Sequence, residues 1–210
     1  MRTDIIEGAT LPDYELPDHT NTRRTLSLLQ GNDPMILMLG RGFYCPKDRQ
    51  QLHELVRFSK QCAVGFTRLV TITTDTFVQL NDLRLGVGAD WPFLYDEQRV
   101  IQQDLAFQEY TDPHNNPMIP HTFVLEPGRK IYKIYNGYWY WGRPTTSELH
   151  QDLRAITRRI RPDWQIDTPE LRAKWDAGER KAFYPYGKSW KQVFIRMAGA
   201  IDQFEPPDER

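Results

Sequence analysis

Met35-Ile36-Leu37-Met38-Leu39-Gly40-Arg41-Gly42-Phe43-Tyr44-Cys45-Pro46 runs directly into Lys47-Asp48-Arg49-Gln50-Gln51-Leu52-His53-Glu54-Leu55, and this stretch decides the fold. Its first five residues are a short unbroken apolar run, the pattern of a strand buried on both faces. Gly40 and Gly42 break the run, and from Lys47 the period changes. Leu52, Leu55, Val56 and Ser59 fall at i, i+3, i+4 and i+7, which predicts an amphipathic helix. Pro46 stands in the first turn, where a helix accepts proline. Cys45 is thereby set between a buried strand and a helix start. A helix start offers unpaired N–H groups and partial positive charge, both of which favour a thiolate. Such a position, or a neighbouring cation, takes a cysteine from the ordinary ~8.5 to well below neutral. Arg41, Lys47 and Arg49 are the nearby cations. The thiolate is the nucleophile, so this is a place to build a reactive sulfur. The competing reading is a buried, inert thiol.

Working outward, Gly31-Asn32-Asp33-Pro34 is a turn before the strand. The prolines of residues 1–20 favour extended backbone, a short edge strand and turns. Residues 68–74 predict a second strand, and residues 77–85 a helix ended by Gly86 and Gly88. Residues 91–95 read as a short extended segment, 100–107 as a weaker helix and 111–118 as a loop. Residues 121–125 and 130–135 form a hairpin around Glu126-Pro127-Gly128-Arg129. Residues 145–160 are a helix that starts near Thr146 or Ser147. This order predicts an α/β fold, a mixed central β-sheet flanked by helices, over residues 1–160. Residues 161–210 read as a C-terminal extension with helices near 171–181 and 189–201. It packs on the core or on a partner.

The chain has 210 residues, 40% of them hydrophobic and 26% charged, enough to bury one full core and stay soluble. A net charge of -1 gives no global attraction to nucleic acid or to an acidic membrane. No apolar run nears the ~20 residues of a membrane span, and residues 1–20 lack the features of a signal peptide. The cytoplasm is the expected location. Two cysteines, Cys45 and Cys62, are too few for a disulfide framework or a Cys-only zinc site. No metal-ligand spacing and no phosphate-binding glycine loop occur, so no cofactor is expected. The intervening helix puts Cys62 roughly 20 Å from Cys45, whereas a disulfide needs Cα atoms within ~7 Å. Cys62 is therefore expected to be structural.

The segment MILMLGRGFYCPKDRQQLHEL resembles the strand, active-site loop and helix of AhpC/TSA-type peroxiredoxin-like redoxins, which have a thioredoxin-like fold. Residues 41–49 match an Arg-Gly-x-x-Cys-Pro-x-Cys-Arg pattern, except that Asp48 stands where the second cysteine would be. RLVTITTDT, DWPFLYDEQRVIQQDLAF and MIPHTFVLEPGRKIYKIYNG resemble further family segments, in order, over about residues 5–160. The resemblance implies a thiol-dependent peroxidase. Cys45 would attack hydrogen peroxide or an organic hydroperoxide and become a sulfenic acid, which an external thiol, thioredoxin-like or of low molecular weight, would reduce. Arg41, Gly42, Phe43, Tyr44 and Pro120 would bind or activate the substrate. Pro120 matches the family's cis-proline opposite the cysteine; an ordinary trans proline at a strand start is the alternative. Arg49, His121 and Arg143 are further candidates.

The chain also departs from the pattern. Gly42 stands where the family has a Thr or Ser hydroxyl, for which Tyr44 or a backbone N–H would have to substitute. The arginine before the hairpin strand is replaced by Met118 and Ile119, which leaves Arg143 as the nearest downstream candidate. Asp48, one turn from Cys45, would oppose a thiolate if it approached the sulfur. These departures keep a second class open, a binding or scaffold protein that has lost catalysis. A third reading is a one-cysteine thiol–disulfide reductase. The aromatic run Tyr135, Tyr138, Trp139, Tyr140, Trp141 is a binding surface, a homodimer patch or core packing.

Overall fold

The computed structural model describes residues 1–200, and the last part of the predicted 189–201 helix, Ile201, lies outside them. A five-stranded sheet has the order β5-β4-β3-β6-β7, with β3 (Met35–Leu39), β4 (Arg68–Thr73), β5 (Phe93–Tyr95), β6 (His121–Glu126) and β7 (Lys130–Asn136). β3 runs parallel to β4, and β4 to β5; β6 and β7 are antiparallel. All five residues of β3 are buried, as expected of a central strand. Side chains alternate across the pleat: Met35, Leu37 and Leu39 enter one core, Ile36 and Met38 the other.

The second of these cores is roofed by α2 (Pro46–Val64), α3 (Phe77–Val87) and α5 (Thr146–Ile160) through Leu52, Leu55, Leu80, Leu83, Leu149 and Ile156. The other face is covered by residues 1–30, which include the hairpin β1 (Glu15–Pro17) and β2 (Arg23–Thr25) and the short α1 (Leu26–Gln30), together with α4 (Val100–Asp104). The expected single edge strand near the N-terminus is thus a separate two-stranded ribbon. α3 continues through Gly86 and stops at Gly88, whose φ of 75° is the left-handed conformation that closes a helix. α4 starts on the buried carboxylate of Asp96, which accepts from the N–H groups of residues 100–102, and is shorter than the periodicity predicts because Ala106, at a left-handed φ of 53°, turns the chain out of the helix. α5 begins one residue later than expected and is capped by Thr145 with Glu148 in a reciprocal box.

After α5 come α6 (Pro169–Asp176), shorter than the expected 171–181 helix, and α7 (Trp190–Ala200), which lies against α2. Arg161 donates to the Ala182 carbonyl at 2.7 Å, and Thr157 meets the Tyr186 hydroxyl at 3.2 Å. Asp33, buried before β3, pairs with Arg68 at 2.9 Å and with Lys188 at 2.5 Å. No described helix is long and apolar enough to cross a membrane.

Asp33→Ala removes the acceptor shared by a core strand and the C-terminal region. It should cost about 1–3 kcal/mol, read as a fall in Tm of roughly 2–4 °C per kcal/mol. Faster proteolysis near Lys188 should accompany it; an unchanged melt and digest would show the pairing to be without weight.

Candidate active site

The sheet order puts several chain ends at one place. The carboxyl ends of β3 and β4, the start of β6 and the end of β7 all lie on the same edge, and ligand sites in such sheets gather outside strand carboxyl ends. Cys45 is the N-cap of α2, with extended backbone and no side-chain cap on the helix. Its sulfur therefore occupies the position where a capping oxygen usually serves the first N–H groups. The residue is only 1% exposed.

Arg143 reaches this sulfur from the loop after β7, with Nη2 at 3.9 Å from Cys45 Sγ. Its Nη1 meets Asp48 Oδ1 at 2.6 Å and Gln51 Oε1 at 2.8 Å. Gln51 in turn donates to Thr122 Oγ1 at 2.9 Å. The loop that carries Arg143 is drawn tight at Gly142, where a Cβ would lie 2.1 Å from the Asn136 carbonyl oxygen. Asp48 is completely buried. Burial pushes its carboxyl up, against the pull of Arg143 and of the Gly42 N–H, which donates to Oδ2 at 2.8 Å. The carboxylate that the spacing set against the sulfur is thus turned into the loop and the guanidinium.

Arg41 is a second cationic partner of the sulfur. It is ion-paired to Glu109 at 2.8 Å and to Asp112 at 3.0 Å. Burial works against its charge, but Tyr44, Glu109 and Cys45, the last also a hydrogen-bond partner, hold the guanidinium above its ordinary pKa. The Tyr44 hydroxyl donates to Asp112 at 2.8 Å; burial and that carboxylate push it well up. It is therefore committed elsewhere and does not replace the missing threonine hydroxyl. The backbone N–H groups of Gly42, Phe43 and Cys45 are also engaged, by Asp48, by Asp75 and by the Gly42 carbonyl.

Asp75, at the end of β4, accepts from the Phe43 N–H through both oxygens, at 2.9 and 3.1 Å, and from Thr73 Oγ1 at 2.8 Å. Its pKa is pushed up to about 6, first by burial and then by nearby Asp48, against the bonds from Thr73 and Phe43. A Cβ on Gly42 would lie 2.4 Å from Asp75 Oδ1, and Gly42 has a φ of +108°. The departure at position 42 is thus built into the packing: the space of a side chain is filled by a carboxylate.

The other sequence candidates fall in different places. Arg49 donates to the Phe43 carbonyl at 3.2 Å and lies over its ring, so it braces the loop. Pro120 is buried just before β6, and its carbonyl accepts from Gly137; the Ile119–Pro120 bond is trans, as is every described peptide bond. His121 points to the opposite face of the sheet, stacked 4.2 Å from Phe107, with Nδ1 against the Ile119 carbonyl. Strand alternation explains this: Thr122, not His121, faces α2. Cys62 is buried and makes no disulfide with Cys45. Of the aromatic run, Tyr135 packs on the core and bonds Asp152, whereas Trp139, Tyr140 and Trp141 project into solvent, the last 97% exposed. Asp75, Glu109, Asp112, Gln51 and Thr122 are site neighbours that the sequence did not single out.

Two outcomes test this geometry. Arg143→Ala strands the buried charge of Asp48 and should cost about 3–5 kcal/mol; adding Asp48→Asn should recover part of that loss, and strictly additive denaturation energies would refute the pairing. Gly42→Thr, which restores the family hydroxyl, should destabilise the fold by roughly 2–4 kcal/mol through strain and overlap, and a melt at or above the wild-type value would contradict the clash with Asp75.

Comparison with known proteins agrees with this architecture. The model of the AhpC/TSA family matches residues 8–134. A Mycobacterium tuberculosis protein named "Putative peroxiredoxin" is 26% identical over 152 residues, which is 72% of this chain and 95% of that one. Among solved structures, peroxidoxin BcpB from M. tuberculosis superposes with a TM-score of 0.62 at 24% identity, over 71% of this chain and 97% of its own. A mutant of peroxiredoxin 6 of Arenicola marina gives 0.63 at 17% identity over 89% and 96%. A yeast mitochondrial 1-Cys peroxiredoxin gives 0.62 at 14% identity over 77% and 83%. The sheet with its flanking helices is thus a thioredoxin-like fold, and the chain belongs to the AhpC/TSA family.

Proposed function

We propose that the chain is a thiol peroxidase in which Cys45 is the reacting sulfur and works without a second cysteine of its own. The observation that carries this is the Arg143 guanidinium 3.9 Å from a sulfur seated at the uncapped start of α2. With Arg41 as a second cationic partner, the sulfur has donors that stabilise negative charge, on the thiolate and on the departing oxygen. The thiolate attacks one peroxide oxygen, the O–O bond breaks, and the other oxygen leaves as water or an alcohol after taking a proton. Cys45 is left as the sulfenic acid. An external thiol then attacks that sulfur, expelling water and forming a mixed disulfide. A second thiol, or the second sulfur of a dithiol protein, releases Cys45 and carries away the disulfide.

The one-cysteine form is supported by the position of Cys62 near the far end of α2. The helix between them keeps the two backbone positions more than roughly 20 Å apart, well beyond disulfide reach. The reductant is read as a thioredoxin-like protein or a low-molecular-weight thiol; the yeast 1-Cys relative is described as resolved through glutathione/thioredoxin systems. The burial of Cys45 favours small peroxides, hydrogen peroxide first and organic hydroperoxides that present a slim end. A cytoplasmic location and a homodimer through the exposed loop of Trp139, Tyr140 and Trp141 belong to the same reading.

Purified protein given hydrogen peroxide or cumene hydroperoxide, with dithiothreitol as reductant, should consume peroxide. Cys45→Ser should abolish consumption, and Cys62→Ser should keep it. A dimedone adduct should map to Cys45. Peroxide loss no faster than with dithiothreitol alone would favour the scaffold reading instead.

A further inference from the structure

A cleft of about 320 Å³ opens between α2 and the loop after β7, next to the sulfur. Lys47, Gln50 and Glu54 form its helix wall, and Tyr140, Trp141 and Arg143 line its loop side. Positions 47, 50 and 54 are spaced i, i+3 and i+7 and share one face of α2, while Asp48, Gln51, Leu52 and Leu55 are buried. Arg143 belongs to both places: the guanidinium that lies 3.9 Å from Cys45 Sγ also walls the cleft. Lys47 is two residues from Cys45, so one end of the cleft adjoins the reacting group. The peroxide step uses Arg143 alone of these six residues.

The cleft has two chemically different ends. Lys47 is half-buried, with its ammonium 4.1 Å from the centroid of the Tyr140 ring, and no described carboxylate pairs with it. Glu54, also half-buried, faces the 3.5 Å approach of Gln50 Nε2 and pairs with no described cation. Seven residues of helical rise set the two charges roughly 10 Å apart, about the span of an extended tripeptide. Between them Gln50 offers an amide donor and acceptor. An alkyl hydroperoxide tail would leave both charges unmatched, and a cleft of this volume suits a small molecule rather than a folded partner. A molecule that carries a carboxylate, amides and an ammonium group meets every polar group in turn.

We infer that this cleft seats the reductant, and that the reductant is a peptide-like thiol of low molecular weight. Its carboxylate lies at Lys47, an amide against Gln50 and its ammonium at Glu54, beneath Tyr140 and Trp141. The thiolate of the seated molecule attacks the sulfenic sulfur of Cys45. The S–S bond forms, the S–O bond breaks, and the departing hydroxide takes a proton and leaves as water. The thiolate of a second molecule attacks the ligand sulfur of this mixed disulfide, releases Cys45 as thiolate and departs in the disulfide. Because Lys47 and Glu54 cancel at a distance, recognition is made at contact.

This inference rests on Cys45 as the reacting sulfur, and one arm of its test does not use that chemistry. All proteins are full-length and carry Cys62→Ser. In the first arm S-methylglutathione, which has no free thiol, is titrated while backbone amide resonances are followed. Saturable shifts are expected at residues 47–54 and 140–145. In the second arm Cys45 is oxidised with one equivalent of hydrogen peroxide. Its reduction by glutathione is compared with that by 2-mercaptoethanol, which has neither charge nor amide, at equal thiolate concentration. The ratio of the two rates cancels any change in the sulfur itself. Lys47→Ala and Glu54→Ala should each lower it about three- to fivefold. Shifts that are absent or lie elsewhere, or a ratio unchanged in both variants, overturn the assignment. If a variant fails to fold, the wild-type titration decides. Glutathione reduction that slows as protein concentration rises gives the loop to a second copy and also overturns it. If S-methylglutathione shifts the cleft amides but peroxide is not consumed, the cleft stands and the peroxidase reading falls.

Discussion

Asp48 carries the local architecture of the site: its carboxylate is completely buried between the Gly42 N–H and the Arg143 guanidinium. A charge in that position is tolerable only because both partners are present. From this pair the remaining geometry follows. Holding Gly42 shapes the turn before Cys45, and holding Arg143 brings a cation from a loop 98 residues distant to the sulfur. Gln51 and Thr122 complete the hold by tying the guanidinium to α2 and β6.

The loop is thus held by two carboxylates, and one of them, Asp75, takes the space where a small hydroxyl at position 42 would have stood. The lost threonine and the lost arginine before the hairpin look like decay when each is taken singly. In this chain the space at Gly42 and the cationic contact to the sulfur are both taken by other groups. Asp75 fills the volume above Gly42, and Arg143 enters from behind β7 to occupy the cationic side of the sulfur. Arg41, fixed by Glu109 and Asp112, is the second cationic partner.

The strands and the long helices were legible because burial imposes period 2 or 3.6 on the residues themselves. Residues 46–64 carry the helical period, and residues 35–39 and 121–126 show the short continuous run of a strand buried on both faces. The position of Cys45 at the strand–helix junction was legible for the same reason. Arg143 could be named only as a candidate, since its approach depends on the hairpin returning beside β3 and on the tight turn at Gly142. Asp48 was judged by its distance along the helix to Cys45, whereas its side chain points into the core. The signal for this was present: Asp48 and Gln51 continue the buried stripe of Leu52 and Leu55 one turn back, and a charge on an apolar stripe demands a buried partner. Asp75 was legible only as the end of the Ser/Thr-x-Asp turn by which RLVTITTDT resembles the family; its contact with the Phe43 N–H was not, because a carboxylate in a turn is ordinary until the chain packed on it is known. His121 remained open between a site residue and an ordinary strand histidine because a single-residue shift along a strand reverses the face.

Of the two arginines beside the sulfur, Arg143 is balanced by Asp48 and Arg41 is outweighed by Glu109 and Asp112, all at contact distance. Their donors act on what is already in place, but beyond a Debye length of about 8 Å in physiological salt little field survives. An uncharged oxidant and a carboxylate-bearing one therefore arrive by diffusion on nearly equal terms, and ionic strength has small leverage on the encounter. Discrimination between them is left to shape at the entrance rather than to electrostatic steering.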